Sequence, residues 1–414
     1  MTVSNTQNKN LDLCRNKSSK DGLALYVHIP FCETKCSYCD FNTYARIESL
    51  IPTYIEAVSK EIRLWGDLLE NPTVGSIFFG GGTPSYLPQN NVARILDDIR
   101  IAFNVNSEAE VSLEANPGDI TNEKLECYLE SGINRISIGI QSFNDSLLKV
   151  LSRRHSAQDA VQAYNKVYDA GFHNISIDLM YGIPNQKITD WEETLENVRE
   201  LKPTHVSMYC LTLEKGTPME NLVKLGQISD PDVDIAADMY MIAEDFMDFM
   251  QYRHYEISNW AQPGNECQHN LTYWRTQSYL GIGPGAHSHF PSYRFCNLAS
   301  PNGYIRKLNE KMPDLIVNTT KSLSEIVTEV PVVENIESVS KRMQIAETLM
   351  LELRLDTGVN IEEFVNRFDV APEQVYGDTF NNLMNLGLLN ISAESIKLTR
   401  RGRLLGNEVF SQFF

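Results

Sequence analysis

Short apolar runs alternate with longer amphipathic stretches between about residues 23 and 250. The short runs have the length and composition of buried strands, and they fall at 24–31, 74–84, 110–118, 135–143, 175–184 and 205–213. After the first run, apolar residues recur at helical spacing and line one helix face, at Ile51, Ile55, Val58, Ile62, Trp65 and Leu69. Similar patterns occur at 90–103, 121–131, 157–170, 189–201 and 232–250. Because a helix follows each strand, the sheet is predicted to be parallel.

Six strand–helix units are two short of a closed eight-fold barrel. The pattern therefore predicts an α/β fold, an open partial (β/α)6 TIM-like barrel whose mouth accepts a large ligand. Polar or special residues follow the apolar runs at their C-terminal ends, including a cysteine loop, a Gly-Gly-Gly stretch and several acids and amides. In βα barrels that end of the strands holds the active site.

The chain divides into four segments. Residues 1–22 are rich in Asn, Ser and Lys without apolar periodicity, which predicts a disordered leader. The barrel and an extension of it are assigned to 23–315, and 316–339 breaks the strand–helix rhythm, as a linker or an edge structure does. Helical patterns followed by a short β-wing at 392–399 predict a C-terminal helical, winged-helix-like domain over 340–414.

Charge and composition narrow the function classes. The sequence has 54 acidic and 36 basic residues, and this net charge of −18 disfavours nucleic-acid binding and leaves at most peripheral membrane contact. No run approaches the roughly 18 apolar residues of a membrane helix, and the N-terminus lacks the apolar core of a signal peptide. A cytoplasmic location is therefore expected.

Three of the eight cysteines are clustered, at Cys32, Cys36 and Cys39. Reduced thiols at this spacing indicate a metal centre. Structural zinc sites use four ligands and commonly paired knuckles, and no second knuckle is present, so zinc is the weaker interpretation. Three thiolates can instead hold a [4Fe–4S] cluster that keeps one iron open for a small molecule.

The motif YVHIPFCETKCSYC at 26–39 resembles the signature of the radical S-adenosylmethionine (SAM) superfamily, and in particular of proteins like the oxygen-independent coproporphyrinogen III oxidase. The resemblance implies that SAM chelates the open iron and that one electron from the cluster cleaves it to a 5′-deoxyadenosyl radical. It also implies an electron donor as a partner. Residues at the strand ends match SAM-contacting positions of the family: Tyr26, Gly80, Gly81, Gly82, Thr83, Glu114, Gln141, Arg153 and Asp178.

Two features separate branches of this family. The oxidase carries a fourth cysteine two residues after the third, where this sequence has Phe41. The segment His269-Asn270-x-x-Tyr273-Trp274 resembles a signature of the heme-chaperone branch, which implies that His269, Tyr273 and Trp274 contact heme. A neutral imidazole can ligate heme iron, and aromatic rings can stack on the macrocycle. His287 and His289 form a second histidine pair expected near the barrel mouth.

The resemblance favours a heme chaperone that binds a [4Fe–4S] cluster, SAM and heme and transfers heme to an acceptor protein. Two alternatives stay open. One is the radical decarboxylase of coproporphyrinogen III, against which Phe41 argues. The other is an iron–sulfur redox sensor without SAM, against which the glycine stretch and Glu114 argue. Whether the protein is an enzyme stays undecided at this point.

Overall fold

The computed structural model describes residues 22–310 and 322–414. The six predicted strands lie at Leu23–Ile29 (β1), Thr73–Gly81 (β2), Asn104–Ala115 (β3), Arg135–Gln141 (β4), Asn174–Tyr181 (β5) and His205–Cys210 (β6). Each pairs in parallel with the next. The helices that return the chain between them lie at Ile51–Leu68, Gln89–Ala102, Asn122–Glu130, Asp145–Val150, Ala157–Asp169 and Ile188–Leu201. The predicted α/β partial barrel is confirmed.

Further strands extend both edges of this sheet. They lie at Arg253–Glu256 (β7), Asn259–Ala261 (β8), Tyr279–Ile282 (β9), His287–Phe290 (β10), Tyr293–Asn297 (β11) and Val333–Ser338 (β12). Across the described residues the order is β12-β11-β10-β9-β1-β2-β3-β4-β5-β6-β8-β7, so the first and last strands are edges and the barrel stays open. Strand β9 runs parallel to β1, which brings the turn after it to the mouth of the barrel.

The barrel's two faces differ in polarity. The first helix packs its predicted stripe against the sheet, and Ile55, Val58, Ile62 and Trp65 are at most 1% exposed. The face of the strands turned away from the helices carries polar residues instead, including Glu114, Arg135 and Asp178. A polar interior costs stability unless its groups find partners, so this face is expected to bind a ligand.

Two segments outside the six strand–helix units also form regular structure. Gln268–Trp274 is a helix, and its first amides, those of Gln268 and His269, donate to the carboxylate of Glu110. The segment 316–339, expected as a linker or an edge structure, contains in its described part a helix and the edge strand β12, whose partner is β11. The other helices of this region lie at Pro218–Lys224, Val233–Phe249, Pro301–Asn309 and Leu323–Glu329. The predicted leader lies outside the described residues except for Gly22.

A separate hydrophobic core organises the C-terminal region. Its helices lie at Lys341–Glu352, Ile361–Phe368, Pro372–Asn385, Arg400–Leu404 and Gly406–Phe410. The β-wing begins earlier than predicted, with strands Leu389–Ile391 and Ser395–Leu398, and Val359–Asn360 completes a three-stranded sheet. The helix after the wing forms ion pairs with a helix of the barrel region: Arg400 and Arg403 both contact the carboxylate of Glu244, at 2.9 and 2.8 Å.

Candidate functional site

The cysteine loop lies at the mouth of the barrel, directly after β1. A two-residue strand at Phe31–Cys32 pairs with another at Tyr44–Ala45 and closes the loop. Within it, the Cys39 amide donates to the Cys36 carbonyl at 3.2 Å. All three thiols are free and line one cavity of about 510 Å³. A cavity of this volume is within the usual range of small-molecule sites.

Hydrogen-bond donors surround the cysteine sulfurs. The Thr83 hydroxyl donates to Cys32 Sγ at 3.5 Å, and Arg153 Nη1 donates to Cys36 Sγ at 3.5 Å. Burial raises the pKa of the Cys32 and Cys39 thiols, so thiolates at these positions need such donors or a bound metal. No group of three His, Cys, Asp or Glu side chains in the described chain converges on a single metal ion. The donor set still fits an iron–sulfur cluster, which binds each thiolate at a different iron.

The glycine stretch runs against the cysteine loop at very short range. Gly81 has φ +107°, and a Cβ there would lie 2.5 Å from the His28 ring. A Cβ at Gly82 would lie 2.6 Å from the Phe31 carbonyl and 3.1 Å from Cys32 Sγ. Only glycine allows this approach. Gly81, Gly82 and Thr83 line the cavity, whereas Gly80 lies behind them against Tyr26.

Two half-buried acids, Glu114 and Asp178, face the cavity from neighbouring parts of the sheet. Burial, with a smaller contribution from the charge of Asp178, raises the pKa of Glu114 to about 8. Burial also raises the pKa of Asp178, although Ser137 Oγ donates to its two oxygens at 3.1 and 3.2 Å. Acids held in this way favour a ligand with a positive charge or hydroxyl donors, and SAM has both.

Gln141 and Arg153 meet at the end of β4. Gln141 has φ +69°, an uncommon conformation for a residue other than glycine, and it follows a bulge in the pairing of β4 with β5. Arg153 donates from Nη2 to the Gly139 carbonyl at 2.6 Å while its other nitrogen reaches Cys36. The strained backbone and the anchored guanidinium turn both side chains toward the cavity, which both of them line.

Replacing Glu114 by Gln should change how the stability of the ligand-free protein depends on pH. The unfolded carboxyl ionises above pH 4.5, but the folded one stays protonated until about pH 8. Its contribution to stability is therefore full below pH 4.5 and is lost as the pH rises toward 8. Urea unfolding at pH 5 and pH 7 should show that wild type loses roughly 2 kcal/mol more than Glu114→Gln over this interval.

The matched control is Glu126→Gln, which removes an exposed carboxyl on the outer helix Asn122–Glu130. It should follow wild type at both pH values. Parallel pH curves for wild type and Glu114→Gln would contradict the raised pKa.

The helix Gln268–Trp274, here called the inner helix, reaches the cavity from inside the sheet. His269 is 1% exposed, and its ring stacks on Phe78 at a centroid distance of 5.1 Å. Both ring nitrogens are hydrogen-bonded, Nδ1 to Ser76 Oγ at 2.9 Å and Nε2 to the Tyr273 hydroxyl at 2.8 Å. Burial lowers the pKa of His269 to about 3, so the imidazole is neutral. His269, Asn270 and Tyr273 line the same cavity as the cysteines.

Three other predicted residues lie away from the cavity. Trp274 points from the end of the inner helix to the C-terminal domain, where the Arg354 guanidinium lies 5.3 Å from its ring centroid. His287 is exposed on β10 at the mouth, and His289, on the same strand, stacks on Tyr279 at 5.9 Å. The side chains of Trp274, His287 and His289 do not line the cavity.

Among the cavity residues that the sequence interpretation did not name, one is a buried arginine. Arg135, the first residue of β4, is 2% exposed and lines the cavity beside Ser137 and Asp178. The available signal was the face that Arg135 shares with Ser137 and with Gln141, which was predicted, because residues two apart on a strand point to the same side.

Comparison with known proteins agrees with this architecture. Residues 26–198 match the Radical SAM superfamily, and residues 339–405 match the HemN C-terminal domain. The solved structure of coproporphyrinogen III oxidase (HemN) from Escherichia coli, a radical SAM enzyme, superposes with a TM-score of 0.80 at 22% identity over 98% of this chain and 92% of that one. The superposition shows a shared fold. Fold and cysteine loop together define a radical SAM protein, and this class implies a [4Fe–4S] cluster and SAM as cofactors.

Two relatives match nearly end to end. The heme chaperone HemW of Lactococcus lactis subsp. lactis is 36% identical over 94% of this chain and 96% of that protein. The heme chaperone HemW of Bacillus subtilis is 34% identical over 94% of this chain and 98% of its own length. This chain belongs to the HemW family, so the predicted branch is confirmed. Among the described helices, none has the length and apolar character needed to cross a membrane.

Proposed function

We propose that this protein binds heme and transfers it to an acceptor protein. The observation that carries the proposal is the match to proteins named heme chaperones over more than nine-tenths of both sequences. The cavity supports it, since His269, Asn270 and Tyr273 line the same space as the cysteine loop. A neutral imidazole beside aromatic rings suits heme iron and its apolar macrocycle.

In this proposal the cluster and SAM contact different residues of the cavity. Cys32, Cys36 and Cys39 hold the cluster, which supplies one-electron chemistry when it is bound. The residues assigned to SAM are Tyr26, Gly80, Gly81, Gly82, Thr83, Glu114, Gln141, Arg153 and Asp178. Within this set, Thr83 and Arg153 donate toward the sulfurs, and Glu114 and Asp178 are acids that would ionise beside a bound sulfonium or amine, because a nearby positive charge lowers the pKa of a carboxyl group. An electron donor and a heme acceptor are the partners that this chemistry requires.

His269 is proposed as a heme ligand through Nε2. If Nδ1 donates to Ser76 Oγ, Nε2 presents its lone pair, and the Tyr273 hydroxyl is the group that donates to it. Heme iron then displaces one hydroxyl, while Ser76 keeps the ring oriented, as partners of metal-bound histidines commonly do. Tyr273 therefore competes with the iron for the same nitrogen.

Oxidative decarboxylation of coproporphyrinogen III is the second candidate, favoured by the fold shared with the Escherichia coli oxidase. Against it, Phe41 occupies the position of that branch's fourth cysteine. Phe41 lines the cavity and is 64% exposed, so it offers an apolar surface in place of a thiolate.

One anaerobically reconstituted sample tests both candidates. We expect a heme titration followed by absorbance to saturate at about one heme per chain, and an assay by chromatography to find no protoporphyrinogen IX from coproporphyrinogen III. Incubation of the loaded protein with an apo-hemoprotein should then move heme to that acceptor. Sustained decarboxylation would establish the oxidase instead, and absence of saturable heme binding would refute the chaperone.

A further inference from the structure

Arg135 is a buried cation whose charge no protein group contacts directly. It is 2% exposed, it lies at the inner end of β4, and it lines the cavity. Among the described residues its guanidinium makes no hydrogen bond and no ion pair within 4 Å, and its Nε is buried without a partner. A buried charge is costly unless it is paired.

The nearby acids already have other partners. Glu110 accepts from the Cys267 thiol at 3.4 Å and from the amides of Gln268 and His269 at 3.1 Å each, so it fixes the inner helix. Asp178 accepts from Ser137 Oγ. These carboxylates act on Arg135 only through space, and the guanidinium, which stays protonated in proteins, keeps its donors free.

The surroundings of Arg135 define what kind of ligand fits. Tyr26 and Phe78 stack at a centroid distance of 6.4 Å, and Phe78 stacks in turn on His269, which makes one side of the inner cavity aromatic. Phe78 on β2 and Arg135 on β4 are both register partners of Ser112 on β3. The two residues therefore lie at the same height in the barrel. An apolar ring carrying a carboxylate would meet both features at once.

We propose that Arg135 binds a carboxylate of the ligand in the inner part of the cavity, and that this carboxylate is a propionate of heme. The assignment to heme rests on the proposed function. Arg135 lies six positions before Gln141, about 20 Å along the strand, so this carboxylate lies well below the mouth where the cysteine loop stands. The carboxylate of SAM is the other possible source, and the experiment separates the two.

The test compares heme with its dimethyl ester, in which both propionates are uncharged. Wild type should bind heme about 10- to 100-fold more tightly than the ester, the range for a hydrogen-bonded charge pair. Arg135→Gln should lose that factor for heme and bind the ester as wild type does, while Arg135→Lys should keep part of it. Arg306→Gln, which alters an arginine whose side chain is 72% exposed, is the matched control and should behave as wild type.

The outcomes are distinguishable. If wild type binds heme and the ester equally, the propionate assignment is refuted, and this result does not depend on whether the variants fold. If Arg135→Gln weakens SAM binding by calorimetry and leaves heme binding unchanged, the carboxylate is that of SAM and the heme assignment is overturned. If wild type binds no heme, the proposed function fails, and the propionate assignment fails with it.

Discussion

Anaerobically reconstituted Cys36→Ala protein is expected to hold almost no iron, whereas wild type holds about four iron atoms per chain. The same loss is expected for Cys32→Ala and Cys39→Ala, because each thiolate binds a different iron and the loop contributes only three. Cys36 also accepts from Arg153, so its removal leaves a guanidinium facing the cavity without that partner. Iron and sulfide assays, with absorbance of the reduced and oxidised protein, measure the effect.

Cys127→Ala is the matched control for these variants. Cys127 lies on the outer helix Asn122–Glu130, and it does not line the cavity. Its iron content should equal that of wild type. Unchanged iron in all three loop variants would show that the cluster ligands are elsewhere, and loss in the control as well would point to a general folding defect.

The alternation of strands and helices could be predicted because each element follows its own local periodicity. The helix Ile51–Leu68 and strand β4 needed only the spacing of their apolar residues. The inner helix could not be found in this way, since its first amides are held by Glu110, a residue about 160 positions earlier. Strand β9 was missed for a similar reason: pairing with β1 makes four residues a strand, and so short a run has no clear period.

In the candidate site, too, residues that are close in sequence could be predicted and residues that depend on distant contacts could not. Cys32, Cys36 and Cys39 are close in sequence, so their spacing alone predicted a common centre. Arg135 was missed because its role depends on residues that are distant in sequence and surround it only in the folded chain. Trp274 is the opposite case, a residue that the motif predicted for the site but that lies outside the cavity. It follows Asn270 by one helical turn, and there it contacts Arg354 of the C-terminal domain.

His269→Ala is expected to weaken heme binding by about 100-fold and to remove the spectrum of a histidine-ligated heme. The truncation also leaves a cavity and deprives Ser76 and Tyr273 of a partner, which should cost roughly 2–4 kcal/mol of folding stability. A loss of binding by itself would therefore not distinguish a ligand from a packing residue. Heme titration must be read together with the thermal unfolding of each variant.

Tyr273→Phe makes that distinction, because it keeps the ring of Tyr273 and removes only the hydroxyl bonded to His269 Nε2. If iron and hydroxyl compete for this nitrogen, Tyr273→Phe should bind heme roughly 3- to 10-fold more tightly than wild type, the value of one hydrogen bond no longer broken. Tyr279→Phe is the matched control, since its ring packs on Tyr273 at 4.6 Å and the substitution leaves the bond to His269 in place. Unchanged or weaker heme binding by Tyr273→Phe, with the spectrum of the bound heme unaltered, would remove His269 from the heme ligands and leave it as a core residue of the inner helix.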